Sequence, residues 1–307
     1  MNCKQTGTER SRYLGCLLGL ACGDAVGTTV EFSPRGSFPP VTGMIGGGPF
    51  KLLPGQWTDD TSMALCLAQS LVCHRSFNPS DQMNRYCNWA NFGYMSCTGA
   101  CFDIGGTVRA ALQKFQATNN PFCGSSDPGT AGNGAIMRLA PVPMFYALSL
   151  EKTIRFSAES SRTTHAANEA IECAQLFGAQ IRAALLGGSK QDVLFNAGYV
   201  PSAESVRSIA DGAYRDKREP EICGSGYVVA SLEAALWCFL NSQSYEEAVL
   251  VAANLGDDAD TTAAIAGQLA GAFYAIAGIP ESWLSHLAMR GEITELAELL
   301  FDYREQS

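Results

Sequence analysis

Two short runs in this chain carry the same chemistry. Trp57-Thr58-Asp59-Asp60-Thr61 and Gly256-Asp257-Asp258-Ala259-Asp260-Thr261-Thr262 are each a knot of carboxylates and hydroxyls, about two hundred residues apart. Asp257, Asp258 and Asp260 place three negative charges within four residues. Carboxylates so close raise each other's pKa and repel unless a cation compensates. Helix capping is the plainer explanation, because Thr and Asp are favoured N-caps and acidic first turns suit the helix dipole. A cap uses one or two short polar side chains, so two such knots exceed what capping needs. Thr58, Asp59, Asp60, Asp258, Asp260 and Thr261 offer hard oxygen donors of the kind that Mg²⁺ or Mn²⁺ prefers. Imidazole ligation is disfavoured: His74, His165 and His286 are the only histidines, and none is paired at ligand spacing.

Other residues could act beside such a centre. Glu31 lies between Val30 and Phe32. Apolar neighbours raise a carboxyl pKa and suit it to general acid or base work, and a partly exposed loop glutamate is the plain alternative. Asp24 reads as capping or bonding the adjacent turn. Gly132-Asn133-Gly134-Ala135-Ile136-Met137-Arg138 is a Gly-rich loop whose backbone N–H groups can receive a phosphate, or simply turn the chain. His165 follows a run of hydroxyls at the head of an Ala-rich helix, and Tyr227 follows Gly224-Ser225-Gly226. Asp103 stands among Cys101, Phe102 and Ile104 and needs a partner if buried.

The elements that must position these groups read as helices. Met63, Leu67 and Leu71 share one face, and helices are expected over 166–186, 227–240, 246–255 and 284–303, the last with a break at Gly291. Sustained alternation is absent, and 26–32 is the best strand candidate. The stretch 261–278, rich in small and apolar residues, is expected as a buried helix packed closely through Gly267 and Gly271 rather than a membrane span. Gly- and Pro-rich loops cover 33–56, 119–133 and 216–226, each beside a candidate motif. The expected class is all-α, one compact multi-helix domain over 1–307 with long Gly/Pro-rich loops and a flexible lead at 1–10.

Composition sets the outer bounds. Hydrophobic residues make up 47% of the 307 and charged residues 17%, which excludes a disordered chain. A formal net charge of −9 argues against a broad nucleic-acid surface. The twelve cysteines contain no C-x-x-C pair and several sit among apolar residues, so free thiols in a reducing cytoplasm are expected. The first twelve residues are polar and mixed in charge, unlike a signal peptide.

Taken together, Gly23-Asp24 through Glu31, Trp57-Thr58-Asp59-Asp60-Thr61, Gly132-Asn133-Gly134 and Asp258-Ala259-Asp260-Thr261 resemble the ADP-ribosylglycohydrolase family, in particular its bacterial dinitrogenase-reductase-activating glycohydrolase type. The resemblance runs from Gly15 to about Gly278. It implies an all-α hydrolase with two divalent cations, Mg²⁺ or Mn²⁺: Thr58, Asp59 and Asp60 holding one together with a bridging Asp260, and Asp258 and Thr261 completing the other. It gives Glu31 a catalytic role at the mouth of that centre and sets Asp103 against the substrate ribose. Gly132, Asn133, Gly134 and Met137 would line the diphosphate and ribose path, with His165 near the phosphates and Tyr227 near the adenine. Asp257 and Gly106 depart from the pattern; the second bears on the contact near Asp103 and on the leaving group accepted. The implied activity is removal of mono-ADP-ribose from a modified acceptor, arginine of a protein foremost, by a cytoplasmic monomer with neither membrane nor nucleic-acid partner. An ADP-ribose-binding protein without catalysis, a hydrolase of O-linked ADP-ribose on serine or an acetyl ester, and a metal-dependent nucleotide phosphohydrolase are the alternatives.

Overall fold

Gly15, Gly19, Gly23 and Gly27 recur every four residues, which places them on one stripe of a helix. In the computed structural model, which describes residues 3–304, that helix is α1 (Cys3–Gly27), and it is followed by α2 (Asp59–His74), α3 (Pro79–Phe92), α4 (Gly106–Thr118), α5 (Pro141–Phe145), α6 (Leu150–Arg162) and α7 (Asn168–Leu185). The chain continues through α8 (Lys190–Phe195), α9 (Glu204–Ala210), α10 (Val228–Leu240), α11 (Tyr245–Asn254), α12 (Ala259–Tyr274), α13 (Glu281–His286) and α14 (Arg290–Tyr303). No strand occurs among the described residues, and three isolated bridges are the only β pairing. The all-α class and the three long loops therefore stand as expected.

The glycine stripe of α1 lies against α12 with almost nothing between the two backbones. A Cβ on Gly15 would stand 2.2 Å from the Gly271 carbonyl oxygen, one on Gly19 2.5 Å from that of Gly267, and one on Gly23 2.2 Å from that of Ala263. Gly27 meets Ala259 in the same way at 2.3 Å. The sequence numbers rise on one helix as they fall on the other, so the pair is antiparallel. The C-terminal end of α1 consequently lies beside the N-terminal end of α12. α12 is buried along nearly its whole length, as its composition implies. One helical stretch, Gly7–Val30, is apolar and long enough to cross a membrane, and 89% of its most apolar window is buried inside the protein.

Around this pair the main core gathers side chains from α5, α7, α10, α11 and α14. A second cluster, built on Met63, Cys66, Met83, Tyr86, Val108, Leu112 and Phe115, joins α2 to α3 and α4. α2 is thus apolar on two sides, and it ties the segment carrying Asp103 to the rest. All cysteines from Cys16 onward are free thiols, most of them buried.

Three expectations need correction or placing. The strand candidate at 26–32 is helical: α1 runs to Gly27 and a 3₁₀ turn spans Thr28–Val30. Being buried on all sides from Gly15 to Gly27, this part of α1 has no polar face and hence no amphipathic period to read. The break within 284–303 falls at 287–289, where Met289 takes a left-handed conformation (φ 54°), while Gly291 lies inside α14. Of the lead at 1–10, Met1 and Asn2 lie outside the described residues, and α1 begins at Cys3.

The close approach reverses the usual sign of a Gly→Ala change. In an open helix such a change stabilises by up to about 1 kcal/mol, and Gly7→Ala, with nothing within 4 Å of the new Cβ, is expected to do so. Gly23→Ala drives a methyl into backbone and is expected to cost about 3 kcal/mol or more. Paired urea unfolding curves check both; a Gly23→Ala protein as stable as the parent would contradict the packing described.

Candidate active site

Asp24 sits in the last turn of α1, fully buried, and reaches across to the start of α2. One of its oxygens accepts from the backbone N–H of Thr58 (2.9 Å) and the Thr58 hydroxyl (3.0 Å). The other accepts from the backbone N–H of Thr61 (3.0 Å) and the Thr61 hydroxyl (2.6 Å). Asp24 therefore caps α2 from a neighbouring helix and not the turn adjacent to it in sequence, which corrects the local reading. Thr58 holds the N-cap position, yet its side chain does not cap. The same arrangement governs α12: Asp258 is the N-cap residue without a side-chain cap bond, and Glu31 Oε2 accepts the backbone N–H of Asp260 at 3.1 Å. At α12 the next donor, Thr261 N–H, goes to Asp260 Oδ1 (2.6 Å); with the other first-turn donors taken by outside carboxylates, the remaining oxygens of the knots face one another.

They do so across a small distance. The Thr58 hydroxyl lies 3.3 Å from Asp260 Oδ2 and 3.4 Å from Asp60 Oδ2. The Thr261 hydroxyl also lies 3.4 Å from Asp60 Oδ2. Glu31, Asp258 and Asp260 each bring one oxygen within 4.8 Å of the others. Asp60 Oδ1 is buried with no hydrogen-bond partner. An orphaned carboxylate oxygen beside a triad of converging carboxylates fits a hard cation, because protein donors have not satisfied it. Asp59 is 7% exposed and faces the cleft above this group, together with Glu31, Asp103, Asp258, Asp260 and Thr261. The structure brings together both knots, Glu31 and Asp103, with Asp59 lining the cleft.

Three of the left-handed non-glycine residues flank the site. Phe32 (φ 60°), Asp103 (φ 59°) and Asp257 (φ 57°) are left-handed without being glycine. Such conformations cost roughly 1–3 kcal/mol each and persist where their surroundings enforce them. Phe32 N–H donates to the Asp257 carbonyl, and Asp257 N–H to that of Ser33, both at 2.8 Å. This rung clamps the segment after Glu31 to the segment before Asp258. Asp257 serves through its backbone, and its side chain is exposed.

Burial dominates the electrostatics. It pushes the Glu31 carboxyl up to about 8, with Asp258 and Asp103 adding repulsion and a hydrogen bond to Asp260 opposing it. Burial likewise lifts Asp103 to about 7 and Asp24 to about 6, the latter held back by its four hydrogen bonds. Asp59, Asp60 and Asp260 rise well above the usual carboxylate range, first from burial and then from one another and their neighbours. Asp258 rises for the same first reason, eased by Asn133. Mutual repulsion, the cause expected from the sequence, is thus second to desolvation.

The opposite wall is the Gly-rich loop. A 3₁₀ turn spans Asn133–Ala135, and Gly132, Asn133, Gly134 and Met137 line the cleft with His165. Asn133 Nδ2 donates to Asp258 Oδ2 (2.7 Å) and to the Ser231 hydroxyl (3.1 Å), which joins this wall to the second knot. Glycine is required at 134, where a Cβ would stand 2.7 Å from the His165 ring. Burial drives His165 down to about 3, so the imidazole is neutral. Tyr227 stands outside the cleft lining: its backbone bridges Gly132, and its hydroxyl donates to Glu169 Oε2 at 2.7 Å. Phe32, Gly105, Thr107 and Val108 line the cleft without having been singled out; they carry no polar periodicity that would mark them. Gly106 lines it too, with open space where a side chain would stand.

The chain matches the family model described as ADP-ribosylglycohydrolase over residues 5–307. It is 46% identical to the ADP-ribosylarginine hydrolase Tri1 of Pseudomonas putida (strain GB-1), over 96% of this chain and 79% of that one. It is 32% identical to the ADP-ribosyl-[dinitrogen reductase] glycohydrolase of Rhodospirillum rubrum, over 92% of both. A solved structure, that of an ADP-ribosylglycohydrolase-related protein complex, superposes with a TM-score of 0.85 at 40% identity, covering 97% of this chain and 99% of that one.

Raised carboxyl pKa values make stability fall with pH. Between the ordinary range near 4 and the raised values up to about 8, the native state holds more protons than the unfolded one. In a chelating buffer the melting temperature is expected to fall from pH 5 to pH 8, the loss completing as pH passes through the raised values. Mn²⁺ should restore it, and more at pH 8 than at pH 5. Scanning calorimetry with and without Mn²⁺ checks this; a Mn²⁺ effect equal at both pH values would contradict the charge balance described.

Proposed function

The chain belongs to the ADP-ribosylglycohydrolase family, and from that membership we propose that it cleaves the N-glycosidic bond between ADP-ribose and arginine of a modified protein. It is an enzyme of the ADP-ribosylglycohydrolase class. The observation that carries the finer reading is one cleft whose floor is the converged carboxylates and whose wall is the Asn133 loop with His165. Relatives at 46% and 44% identity bear the name ADP-ribosylarginine hydrolase, which supports arginine as the acceptor.

Thr58, Asp59, Asp60, Asp258, Asp260 and Thr261, with Glu31 beside them, would hold two divalent cations, Mg²⁺ or Mn²⁺. Such cations supply charge stabilisation and lower the pKa of bound water. The chain's own groups do the rest. Glu31 and Asp103 both line the cleft, each with a carboxyl whose pKa lies near neutrality. Glu31 is positioned to take up a proton from water, and Asp103 to hydrogen-bond a ribose hydroxyl or to return a proton to the leaving nitrogen. Cleavage of a glycosidic bond develops oxocarbenium-like positive charge on the sugar, which an array of carboxylates stabilises. The neutral His165 and the backbone of the 132–134 stretch present a polar wall without positive charge that would oppose that development. Free thiols support a reducing, cytoplasmic setting, and the net charge of −9 supports the absence of a nucleic-acid partner.

A turnover panel tests this reading: ADP-ribosyl-arginine, ADP-ribosyl-serine and acetyl-ADP-ribose, each with Mg²⁺ and Mn²⁺. Release of intact ADP-ribose is expected fastest from arginine. Preferential cleavage of serine or acetyl conjugates would overturn the acceptor, and ADP-ribose binding without release from any of them would overturn catalysis. Glu31→Gln is expected to keep ADP-ribose affinity within a few-fold while kcat falls by about 10²–10⁴; a variant as fast as the parent would remove Glu31 from the proton-transfer step.

A further inference from the structure

Arg138 touches no carboxylate among the described residues. It is fully buried, and its guanidinium donates to the Gly134 carbonyl through Nη1 and to the Thr164 hydroxyl through Nη2 (2.7 Å). The Tyr86 ring lies 4.9 Å from its centre, and Nε has no hydrogen-bond partner. A buried charge held only by neutral acceptors is costly. What it touches suggests why it is there: the Gly134 carbonyl belongs to the cleft wall, and Thr164 precedes His165.

Hydrogen-bond direction follows from donor counts. Guanidinium can only donate, so the Thr164 oxygen accepts from Arg138. Thr164 is fully buried, and the other partner of its oxygen among the described residues is His165 Nδ1, at 2.9 Å. The single hydroxyl proton must therefore point at Nδ1, or lie buried with no acceptor. A ring nitrogen that accepts carries no proton. In a neutral imidazole the proton is then on the other nitrogen, Nε2. That nitrogen points at the cleft: it lies 3.3 Å from where a Cβ on Gly132 would stand and 3.2 Å from that of Gly134. No described residue accepts from it.

We propose that Arg138 is a positioning residue, acting through Thr164 to fix His165 as the Nε2–H tautomer with its one donor aimed into the cleft. Burial and the neighbouring Arg138 charge both keep the ring uncharged, which is the state the relay requires. Arg138 also holds the Gly134 carbonyl, so one side chain sets both the loop and the ring that packs on it. The polarity of the wall is thereby constant: a donor that does not become an acceptor. Its partner is an oxygen of the bound ADP-ribosyl group, a clause that rests on the function proposed above.

Ring-nitrogen NMR of the ¹⁵N-labelled full chain tests this at pH 7. There are three histidines, and His74→Gln and His286→Gln, both at exposed positions, assign the remaining signal. The expected His165 pattern is a protonated Nε2 and a bare Nδ1, unchanged in Thr164→Ser. Thr164→Val, similar in shape but unable to donate, should lose the tautomer preference and weaken ADP-ribose binding about two- to tenfold, with kcat little changed. A protonated Nδ1 or an imidazolium in the parent would overturn the relay, and so would an unaltered pattern in a folded Thr164→Val. If the pattern is as expected but added ADP-ribose leaves the Nε2 signal unmoved, the relay stands and the ligand reading above fails.

Discussion

The backbone contact between α1 and α12 is the constraint on which the site depends. Four glycines of α1 meet Gly271, Gly267, Ala263 and Ala259 of α12 at distances that leave no room for a side chain on the α1 stripe. Antiparallel packing at that separation sets Asp24 and Glu31, from the end of α1 and the turn after it, beside Asp258 and Asp260 at the start of α12. Side chains of ordinary size in the interface would hold the helices apart by several ångströms, since interaxial distances of 8–10 Å track the residues at the contact. Asp260 N–H could then no longer reach Glu31, a bond made at 3.1 Å across 229 residues of sequence.

A second layer of organisation is the exchange of caps between elements. Asp24 serves α2, and Glu31 serves α12. Each helix N-terminus supplies partial positive charge to a carboxylate from elsewhere, which offsets part of the cost of burying it. The knots are then free to accumulate negative charge in the space between. The result is a group of carboxylates whose pKa values are all raised, chiefly by burial, in a cleft whose other wall is neutral. Perturbed groups gathered in one cleft are the usual mark of a functional site.

Much of this is visible in the residues themselves. Thr58, Asp59, Asp60, Asp258, Asp260 and Thr261 stand out by charge density, Gly132 to Gly134 by composition, and the helices over 166–186 and 227–240 by periodicity. What stays hidden is long-range pairing. Asp24 reads as a local cap because nothing in the sequence indicates that Thr58 and Thr61 lie within hydrogen-bond reach. α1 reads as a short strand near its end because a helix buried all round has no polar face. Arg138 and Thr164 look like ordinary neighbours of a loop and a helix, and only the chain of hydrogen bonds from Arg138 through Thr164 to His165 sets them apart. The four-residue glycine spacing was the available clue to the α1–α12 contact, since such a stripe indicates close backbone approach.

Burial keeps protons on these carboxylates, and a cation that bound there would have to replace them. Calorimetric titration of Mn²⁺ into the chelator-treated chain at pH 6.5, repeated in buffers of different ionisation enthalpy, measures both binding and the protons released. Binding accompanied by release of roughly one proton or more per chain is the predicted result, as expected when ligands must deprotonate to coordinate. Tight binding with no proton release, or no binding at all, would contradict it.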